Sequence, residues 1–442
     1  MVNKFQAVYA HEKRRVIFLI DSKSFYASVE CVERMLNPLR ALLVVMSHQE
    51  NQSGGLVLAA SPMAKKRLGI SNVTRQKDVP DVPGLIKAEP RMNLYIQKNL
   101  VINDIYRQYV DDDHMLPYSI DEVILDMTEF WHLFGDSPAA VARRIQTEVL
   151  QKTGVYLSVG IGDSPVLAKL ALDLDAKSAP HLLAQWHYED VSSRLWPIQD
   201  LGKVWGIGHQ TAKKLQTWGI QSMGDVAAMD PYQLREQMGL MGEQLYATAW
   251  GIDRSELTEA VVRHHRSYSN SQVLPYDYHQ LSEVQIVLQE MADQVASRIR
   301  AQKLVTGRVN IYLGAANQGV KFYNRHDRRH NIHQSLTIRP TNSSQILMSI
   351  LNQMLRKVWT GQSVRYLGVS FSDLQDQSHQ QLDLFQGYEN DLNQNRLDTT
   401  IDQIRQRFGN GALLRGLSLA EGGTAIARAN LVGGHNGGNA YE

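Results

Sequence analysis

The stretch VIFLIDSKSFYASVE, Val16–Glu30, determines the fold class that we expect at the start of the chain. Its apolar first half is typical of a buried β-strand, and the SFYASVECVERML segment that follows is typical of a helix. The strand ends on a lone carboxylate, Asp21, and two adjacent aromatic residues, Phe25 and Tyr26, follow near the helix start. This arrangement predicts an α/β beginning and raises the question of why an acid and two aromatics stand together at a strand end.

Length and composition indicate a globular protein of several domains. A chain of 442 residues exceeds what one hydrophobic core supports, and its 43% hydrophobic and 21% charged residues are ordinary values. No apolar run is long enough to span a membrane, and the N-terminus has no signal-peptide core, so we expect a cytoplasmic location and no membrane partner. The single cysteine, Cys31, excludes an internal disulfide and fits a core position.

A second acidic pair lies in MLPYSIDEVILDMTEF, residues 115–130, where Asp121 and Glu122 join two apolar runs. Neighbouring strands lie about 5 Å apart, so these acids and Asp21 can converge at one sheet edge. Crowded carboxylates need a cation, and Mg²⁺ takes such ligands while also binding phosphates. Two ions would activate a hydroxyl and stabilise both oxygens of a displacement at phosphorus. The residues alone leave open another interpretation, in which Asp21 caps a helix and Asp121 and Glu122 form a hairpin turn.

The two segments IDSKSFYASVE and YSIDEVILD together resemble the paired signature of the Y-family DNA polymerases, which are lesion-bypass enzymes, and the likeness is closer to the UmuC-type bacterial branch. The resemblance implies that Asp21, Asp121 and Glu122 hold two Mg²⁺ ions with help from the main-chain carbonyl of Ser22, and that Mn²⁺ can substitute. Many relatives carry an acid where this chain has Lys23, so Lys23 is not an expected ligand.

The same resemblance assigns the nucleotide site. It implies that Tyr26 is the steric gate, a flat ring under the sugar of the incoming nucleotide that collides with a 2′-hydroxyl, and that Phe25 packs in the palm core. In the segment PMAKKRLGI it places a triphosphate contact among Lys65, Lys66 and Arg67, best aligned with Lys66. Many relatives also have a tyrosine near the position of Met63. A solvated basic helix face remains an alternative for these three cations.

Two further segments contain predicted phosphate contacts, one to the nucleotide and one to the DNA backbone. KLALDLDAK, residues 169–177, is similar to the family stretch K-x-A-S-x-x-A-K, which implies that Lys177 reaches the triphosphate and that Lys169 supports it. LGKVWGIGHQTAKKLQTWGI, residues 201–220, predicts a helix-hairpin-helix. Its expected DNA-phosphate contacts are the backbone at Gly206 and Gly208 and the side chains of Lys213 and Lys214. Trp205, Leu215 and Trp218 have core spacing, although any tight turn can hold a G-x-G.

The C-terminal part of the chain has a basic segment and a short peptide motif. Residues 254–370 contain 15 Lys and Arg against 7 Asp and Glu, which predicts an anion-binding domain unless these side chains form a solvated face. Arg325, Arg328 and Arg329 are the predicted DNA-phosphate contacts. The pentapeptide QLDLF is similar to the motif by which bacterial polymerases bind the β sliding clamp, although so short a match can occur by chance. Its predicted clamp-binding residues are Gln381, Leu382, Leu384 and Phe385.

The predicted fold class is an α/β and α+β multidomain right-hand polymerase. Its expected parts are a ferredoxin-like palm (1–35 and 91–180), small fingers (36–90), a helical thumb with the helix-hairpin-helix (181–253) in which strands are absent, an α+β little finger (254–372) and a flexible, disordered tail with the clamp motif (373–442). We expect template-directed, low-fidelity transfer of dNMP from dNTP to a primer 3′-OH on primer-template DNA, without proofreading, in DNA repair and SOS mutagenesis.

Three questions stay open at this point. A catalytically inactive polymerase-derived factor that binds DNA or the clamp would be expected to lack part of the acidic triad, which is present. A nucleotidyl cyclase with a similar palm has no need of a helix-hairpin-helix or a basic domain. The UmuC-type resemblance leaves open whether accessory subunits are partners.

Overall fold

The computed structural model describes residues 8–47, 55–259, 267–316, 331–377, 388–429, 431–432 and 435–437, without the side chains of 388–395 and 436. The chain divides into two compact units, whose main parts are Met1–Met46 with Leu56–Val261 and, separately, Val262–Gly438. Each unit has its own sheet and its own helices. No helix within the described ranges is both long and apolar enough to cross a membrane.

The first unit is organised around a five-stranded sheet in the order β5–β6–β1–β7–β8. The central strand β1 is antiparallel to both β6 and β7, and residues 17–20 are all buried, so both faces of the sheet are covered. The strand bounds are β1 Ile17–Ser22, β5 Met115–Pro117, β6 Glu122–Asp126, β7 Leu157–Gly162 and β8 Leu183–Trp186.

Four helices belong to the same part of the chain: α1 Phe25–Glu33, α3 Met92–Tyr106, α4 Pro138–Thr153 and α5 Pro165–Leu170. α4 and α5 pack against β7, and α3 packs against α1 and α4. α4 and α5 each begin with a serine N-cap followed by proline, a combination that favours a helix start. α5 lies very close to β7, since a Cβ added at Gly160 would stand 2.1 Å from the Ala168 carbonyl oxygen. Glycine is therefore required at this position by the close packing of helix on strand.

Strand β8 corrects one prediction. We expected strands to stop at residue 181, whereas Leu183–Trp186 pairs in parallel with β7 and belongs to the same sheet. This strand is short, lies at the sheet edge and is only partly buried, so its sequence lacks the apolar run by which the other strands were identified.

A three-stranded sheet, in the order β3–β2–β4, and one short helix form the region between α1 and α3. Their bounds are β2 Leu43–Met46, β3 Val57–Ala60, α2 Pro62–Leu68 and β4 Ile86–Ala88. The Ser61 hydroxyl caps α2 by accepting from the Ala64 N–H, and Gly69 ends it in the left-handed conformation. Helix α2 carries the basic residues 65–67.

Between β8 and the end of the first unit, the described chain is helical. The α-helices are α6 His209–Thr217, α7 Met223–Ala228, α8 Pro231–Met238 and α9 Leu240–Ala249. Buried residues of these helices, including Leu215, Val226, Leu234 and Ala249, share a core with Val166 and Leu167 from α5. The helical region is thus joined to the sheet region through α5.

The second unit is an antiparallel sheet in the order β11–β10–β12–β9 with two long helices. The apolar stripes of the helices and the inward residues of β9, β10 and β12 form its core. The bounds are β9 Tyr268–Tyr278, α10 Leu281–Ala301, β10 Leu304–Ala315, β11 Asn331–Thr341, α11 Ser344–Val358 and β12 Val364–Asp376. This arrangement agrees with the α+β domain predicted for the basic segment.

The prediction of a flexible tail over 373–442 is wrong for its described residues. β12 extends to Asp376, and helix α12, Tyr388–Phe408, follows, succeeded by a 3₁₀ turn at Gly416–Leu419 and α13, Ala425–Arg428. We refer to residues 396–429 as the C-terminal segment.

Ion pairs and hydrogen bonds attach the C-terminal segment to α10. Asp293, which is buried on α10, lies 2.7 Å from a nitrogen of Arg405 and 2.9 Å from one of Arg415. Arg300, also on α10, lies 2.7 Å from Asp402. The polar composition suggested disorder because it contains no apolar stripe. In the folded unit, its charged groups form ion pairs with α10 instead.

Candidate active site

The acidic residues of the predicted triad meet at one end of strands β1 and β6. Asp21 and Glu122 are direct cross-strand partners, so their side chains lie on the same face of the sheet. Asp121 precedes β6 and is fixed next to them, because its carbonyl accepts the Ser22 N–H at 2.8 Å and its carboxylate accepts the Ser119 hydroxyl at 2.7 Å. Ser24, not Asp21, precedes helix α1 as its N-cap, which removes the capping interpretation of Asp21.

Two lysines lie directly against these carboxylates. The Lys177 ammonium is 3.2 Å from Asp21 Oδ2 and 3.7 Å from Glu122 Oε1, so both carboxylates face the same point. Lys169 is buried, donates to Glu122 Oε1 at 2.6 Å, and lies 3.4 Å from Asp173. Asp173 also accepts from Lys177 at 2.9 Å. The site is therefore a cluster of alternating charges rather than an isolated acidic triad.

Burial and the neighbouring charges of Asp121 and Glu122 together raise the pKa of Asp21 to about 6, against the opposing effect of Lys177. Removing that repulsion is what a bound cation would do, and three carboxylates are the oxygen donors that suit a hard divalent ion. In the described part of the chain, no group of three or more His, Cys, Asp or Glu side chains has metal-binding spacing. Because Lys177 and Lys169 contact the triad oxygens, a metal ion would take over carboxylate oxygens that now pair with ammonium groups.

The position of Lys177 depends on a π-helical turn. Residues Lys169 to Lys177 are one residue longer than the family stretch K-x-A-S-x-x-A-K. In this structure Ala171–Ala176 is a π-helix, and the Lys177 N–H bonds to the Leu172 carbonyl at 3.1 Å, five residues back. A π-turn takes up about one extra residue, which returns Lys177 to the face of the helix that carries Lys169. Both lysines consequently reach the carboxylates.

The two aromatic residues after Asp21 have different environments. Phe25 is buried, as predicted for a core residue, whereas Tyr26 is only partly buried. Burial, followed by the charge of Asp121, raises the pKa of Tyr26. One face of that ring stacks on Tyr95 of α3, with the ring centroids 4.5 Å apart and the planes 16° from parallel.

The charges of the acidic cluster act on Lys65, one of the two predicted finger lysines. Partial desolvation lowers the pKa of its ammonium, while the charges of Asp21 and Asp121 raise it. Lys23 has a supporting position instead, because its ammonium donates to the backbone carbonyl of Lys177 at 2.9 Å. Burial lowers the pKa of Lys23.

The predicted helix-hairpin-helix turn presents an open backbone. Gly206 has φ +84°, and a Cβ added at Gly206 or Gly208 would meet no atom within 4 Å, so both glycines face open space. Lys214 lies 5.0 Å from the Trp218 ring centroid and donates to the Gln237 carbonyl at 3.2 Å, while Lys213 is exposed. The core position predicted for Trp205 is wrong.

Trp205 remains 37% exposed and contacts Tyr118 edge-on, because Val204 and Ile207 provide the buried side chains at this turn. Leu215 is fully buried, as its spacing predicted.

Two sets of predicted residues lie outside the described parts of the chain. These are Arg325, Arg328 and Arg329 of the basic segment, and Gln381, Leu382, Leu384 and Phe385 of the pentapeptide. Their roles stay predictions.

Several residues of the site were not predicted from the sequence. Asp173 stands within the quoted KLALDLDAK stretch, and its i,i+4 spacing to both lysines was a usable signal. Ser119, which holds Asp121, precedes the acidic pair by two residues. Tyr95 is distant in sequence from both Tyr26 and Glu30, and only the packing of α1 against α3 brings it to them.

Three family models match the chain. The impB/mucB/samB family matches residues 20–173, its C-terminal domain matches residues 265–384, and the IMS family HHH motif matches residues 188–220. The first match contains all three acidic residues. The third contains the Gly206–Gly208 turn.

Curated relatives are similar over nearly the full length. The putative UV-damage repair protein UvrX of Bacillus subtilis is 35% identical over 97% of this chain and 99% of the relative. DNA polymerase IV 2 of the same organism is 35% identical over 96% of this chain and 99% of the relative. DNA polymerase IV of Moorella thermoacetica is 31% identical over 92% of this chain and 97% of the relative.

Among solved structures, a Y-family DNA polymerase chimera superposes with a TM-score of 0.65 at 21% identity, covering 82% of this chain and 99% of the chimera. At this identity the likeness concerns the fold, and it agrees with the fold class predicted from the sequence.

Proposed function

The chain belongs to the impB/mucB/samB family, the Y-family DNA polymerases, and we propose that it transfers dNMP from dNTP to a primer 3′-OH at the Asp21, Asp121 and Glu122 cluster. It is a DNA-directed DNA polymerase of the lesion-bypass type, so the family, fold class and activity predicted from the sequence are confirmed. The observation that carries the site assignment is the cross-strand pair Asp21 and Glu122, with Asp121 held beside it.

Members of this family require a metal ion. We propose two Mg²⁺ ions, for which Mn²⁺ can substitute, held by Asp21, Asp121, Glu122 and the carbonyl of Ser22. When bound, such ions lower the pKa of the attacking hydroxyl and stabilise charge on the entering and leaving oxygens. Carboxylate oxygens are suitable ligands for these ions, and bound cations would relieve the repulsion between the three carboxylates.

The surrounding cations suit the triphosphate. Lys177 now pairs with Asp21, Glu122 and Asp173, and an incoming triphosphate offers it anionic oxygens when the carboxylates turn to the metal ions. The Lys23 ammonium donates to the backbone carbonyl of Lys177 and so supports the position of Lys177. Lys65 is favoured over Lys66 as the second contact, because the charges of Asp21 and Asp121 act on it.

DNA and dNTP are the substrates of this enzyme class. We infer that the open backbone at Gly206 and Gly208, together with Lys213, binds a DNA phosphate without reading sequence. We propose the same role for Arg325, Arg328 and Arg329, and for QLDLF a role in binding the β sliding clamp. Low fidelity, absence of proofreading, a cytoplasmic location, use in SOS mutagenesis and any accessory subunit stay predictions.

Primer extension separates this function from its alternatives. The protein, a primed template and Mg²⁺ should add the dNTP that complements each template base, and the preferred dNTP should change when the template base is changed. An inactive polymerase-derived factor would bind the same DNA without extending it. A nucleotidyl cyclase would convert nucleotide to a cyclic product without template. Either of these results would contradict the proposal.

A further inference from the structure

Tyr95 lies between the gate ring and a buried ion-pair cluster. Its ring stacks on Tyr26, and its hydroxyl donates to Glu30 Oε1 at 2.8 Å. Tyr26 and Glu30 are four residues apart on α1, so they occupy the same face of that helix. One tyrosine from α3 therefore contacts both residues of this face.

Glu30 is fully buried and is held from several directions. Arg91 donates to both of its oxygens, at 3.0 and 2.8 Å, and Arg34 also contacts it. Burial alone would raise the pKa of Glu30, but the hydrogen bonds from Arg91, Arg34 and Tyr95 outweigh it and hold the pKa below its ordinary value. Glu30 is thus a charged acceptor with a fixed position.

The Tyr95 ring is fully buried, so it has no room to change rotamer, and its bond to Glu30 fixes its hydroxyl end. Tyr26, in contrast, has one stacked face and is partly exposed. A gate ring excludes a 2′-hydroxyl only if it does not yield to the collision. A ring free to change its χ1 rotamer would move aside at small cost.

We propose that Tyr95 is a positioning residue for sugar discrimination: it backs the Tyr26 ring, and the Glu30 and Arg91 pair holds Tyr95 in place. This inference rests on the proposed gate role of Tyr26. It adds a residue that contacts neither the nucleotide nor the reacting atoms, and it makes discrimination a property of the α1–α3 contact.

The test compares single-nucleotide incorporation of matched rNTP and dNTP as a ratio of kcat/KM values. Tyr95→Leu, which keeps apolar bulk and removes the flat ring, should raise the ribonucleotide-to-deoxynucleotide ratio about tenfold. Tyr95→Phe and Glu30→Gln should raise it by a smaller factor, because the ring remains but its anchor is weakened. In a Tyr26→Ala background, Tyr95→Leu should cause no further rise.

Tyr109 provides a matched control. It is also a buried tyrosine whose hydroxyl donates to a glutamate, Glu148, at 2.7 Å, but its ring contacts Phe134. Tyr109→Leu should leave the ratio at the wild-type value even if it lowers the melting temperature, which shows that loss of a buried tyrosine is not the cause.

The outcomes are distinguishable. If Tyr26→Ala raises the ratio while Tyr95→Leu, Tyr95→Phe and Glu30→Gln all keep the wild-type ratio, the role of Tyr95 is wrong and the gate stands. If Tyr26→Ala leaves the ratio unchanged, the gate role and the role of Tyr95 are both wrong. If Tyr95→Leu does not fold, the ratios of Tyr95→Phe and Glu30→Gln decide, and wild-type values for both overturn the inference.

Discussion

The Lys177 ammonium lies 3.2 Å from Oδ2 of Asp21, although 156 residues separate the two positions in sequence. The π-turn over Ala171–Ala176 brings Lys177 to this place, and the Lys23 ammonium fixes the Lys177 carbonyl at 2.9 Å. The lysine thus pairs with a carboxylate that we assign to metal binding. The same ammonium is positioned to pair with a triphosphate once the carboxylate has another cation.

Replacing Lys177 should therefore affect nucleotide binding more than DNA binding. Lys177→Met removes a charged hydrogen bond to phosphate, worth about 1.5–3 kcal/mol, so kcat/KM for dNTP should fall by roughly 10- to 150-fold. Lys177→Arg should recover part of the loss. Steady-state primer extension measures both. Lys152→Met removes an exposed lysine that pairs with Glu148 at 2.6 Å, and it should behave as wild type. Wild-type kinetics for Lys177→Met would refute the assignment.

Asp121→Asn should abolish nucleotide addition while the affinity for primed DNA stays close to wild type. The substitution keeps the size of the side chain but removes an anionic ligand, and the duplex is held mainly by phosphate contacts elsewhere. Extension assays and DNA-binding titrations on the same preparation are the measurements.

Asp126 on the same strand is the control for Asp121, since its carboxylate accepts the Thr128 N–H at 3.0 Å at the opposite end of β6. Asp126→Asn should lose stability without losing extension. Near-normal extension by Asp121→Asn would remove Asp121 from the metal site.

The convergence of the acidic residues was predictable because local patterns fix strand ends, and residues at the ends of paired strands must be neighbours. Asp21 and Glu122 illustrate this, since each lies at the end of an apolar run. The lysine contacts were only partly predictable. The position of Lys177 depends on which residues form i→i+5 bonds, and a motif of fixed spacing carries no such information.

Two other predictions, for β8 and for the C-terminal segment, are wrong for a common physical reason. β8 pairs at a sheet edge with little burial, and the C-terminal segment folds through charged contacts such as Asp293 with Arg405 and Arg415. Neither element has the apolar periodicity from which helices and strands were predicted. In the C-terminal segment, polar residues form stable structure because their partners lie on α10, more than 100 residues away in sequence.

The helix-hairpin-helix should contribute to DNA affinity through Lys213 rather than Lys214. Lys213→Ala should weaken binding to all sequences about equally and reduce the slope of log K against log salt by up to roughly 0.9. Lys214 is engaged with Trp218 and the Gln237 carbonyl, so Lys214→Ala should change the slope less and lower the melting temperature. Fluorescence anisotropy at several salt concentrations distinguishes them. An unchanged slope for Lys213→Ala would mean that its side chain faces solvent in the complex.

Asp293→Asn should loosen the C-terminal segment. Burial alone would raise the pKa of Asp293, but the pairing with Arg415 and Arg405 outweighs it and lowers the pKa. A carboxylate with a lowered folded-state pKa stabilises the fold above its ordinary value of 3.8 and loses this effect as the pH falls through the folded-state pKa. The variant should thus be destabilised at pH 7 by about 2–3 kcal/mol. Below pH 3.8 the difference in stability between the variant and wild type should become smaller.

Limited proteolysis reports where the destabilisation acts. Cleavage within residues 396–429 should become faster in Asp293→Asn. Asp277→Asn is the matched control, because Asp277 pairs with Arg365 at 2.7 Å within the same unit and on a different element. Equal protection of the segment in wild type and Asp293→Asn would show that other contacts hold it.

The pentapeptide prediction now has a different structural context. QLDLF lies between Gln377, which follows β12, and Tyr388, where α12 begins, so it precedes a folded segment. A clamp already on DNA raises the effective concentration of a bound polymerase into the millimolar range. Leu384 and Phe385 are the residues expected to enter an apolar pocket. Changing both to Ala should cost about 2–4 kcal/mol of clamp affinity, abolish stimulation by loaded clamp, and leave clamp-free extension at the wild-type rate.

Leu397 and Phe408 offer the control for this double variant. They are the same residue types, are 52% and 65% exposed on α12, and lie outside the motif. Changing both to Ala should keep clamp stimulation, because general loss of apolar surface from this part of the chain would not affect a specific pocket contact. Product lengths with and without loaded clamp are the measurement. If clamp stimulates the Leu384 and Phe385 variant as strongly as wild type, the pentapeptide is a chance match and the clamp, if it binds, binds elsewhere.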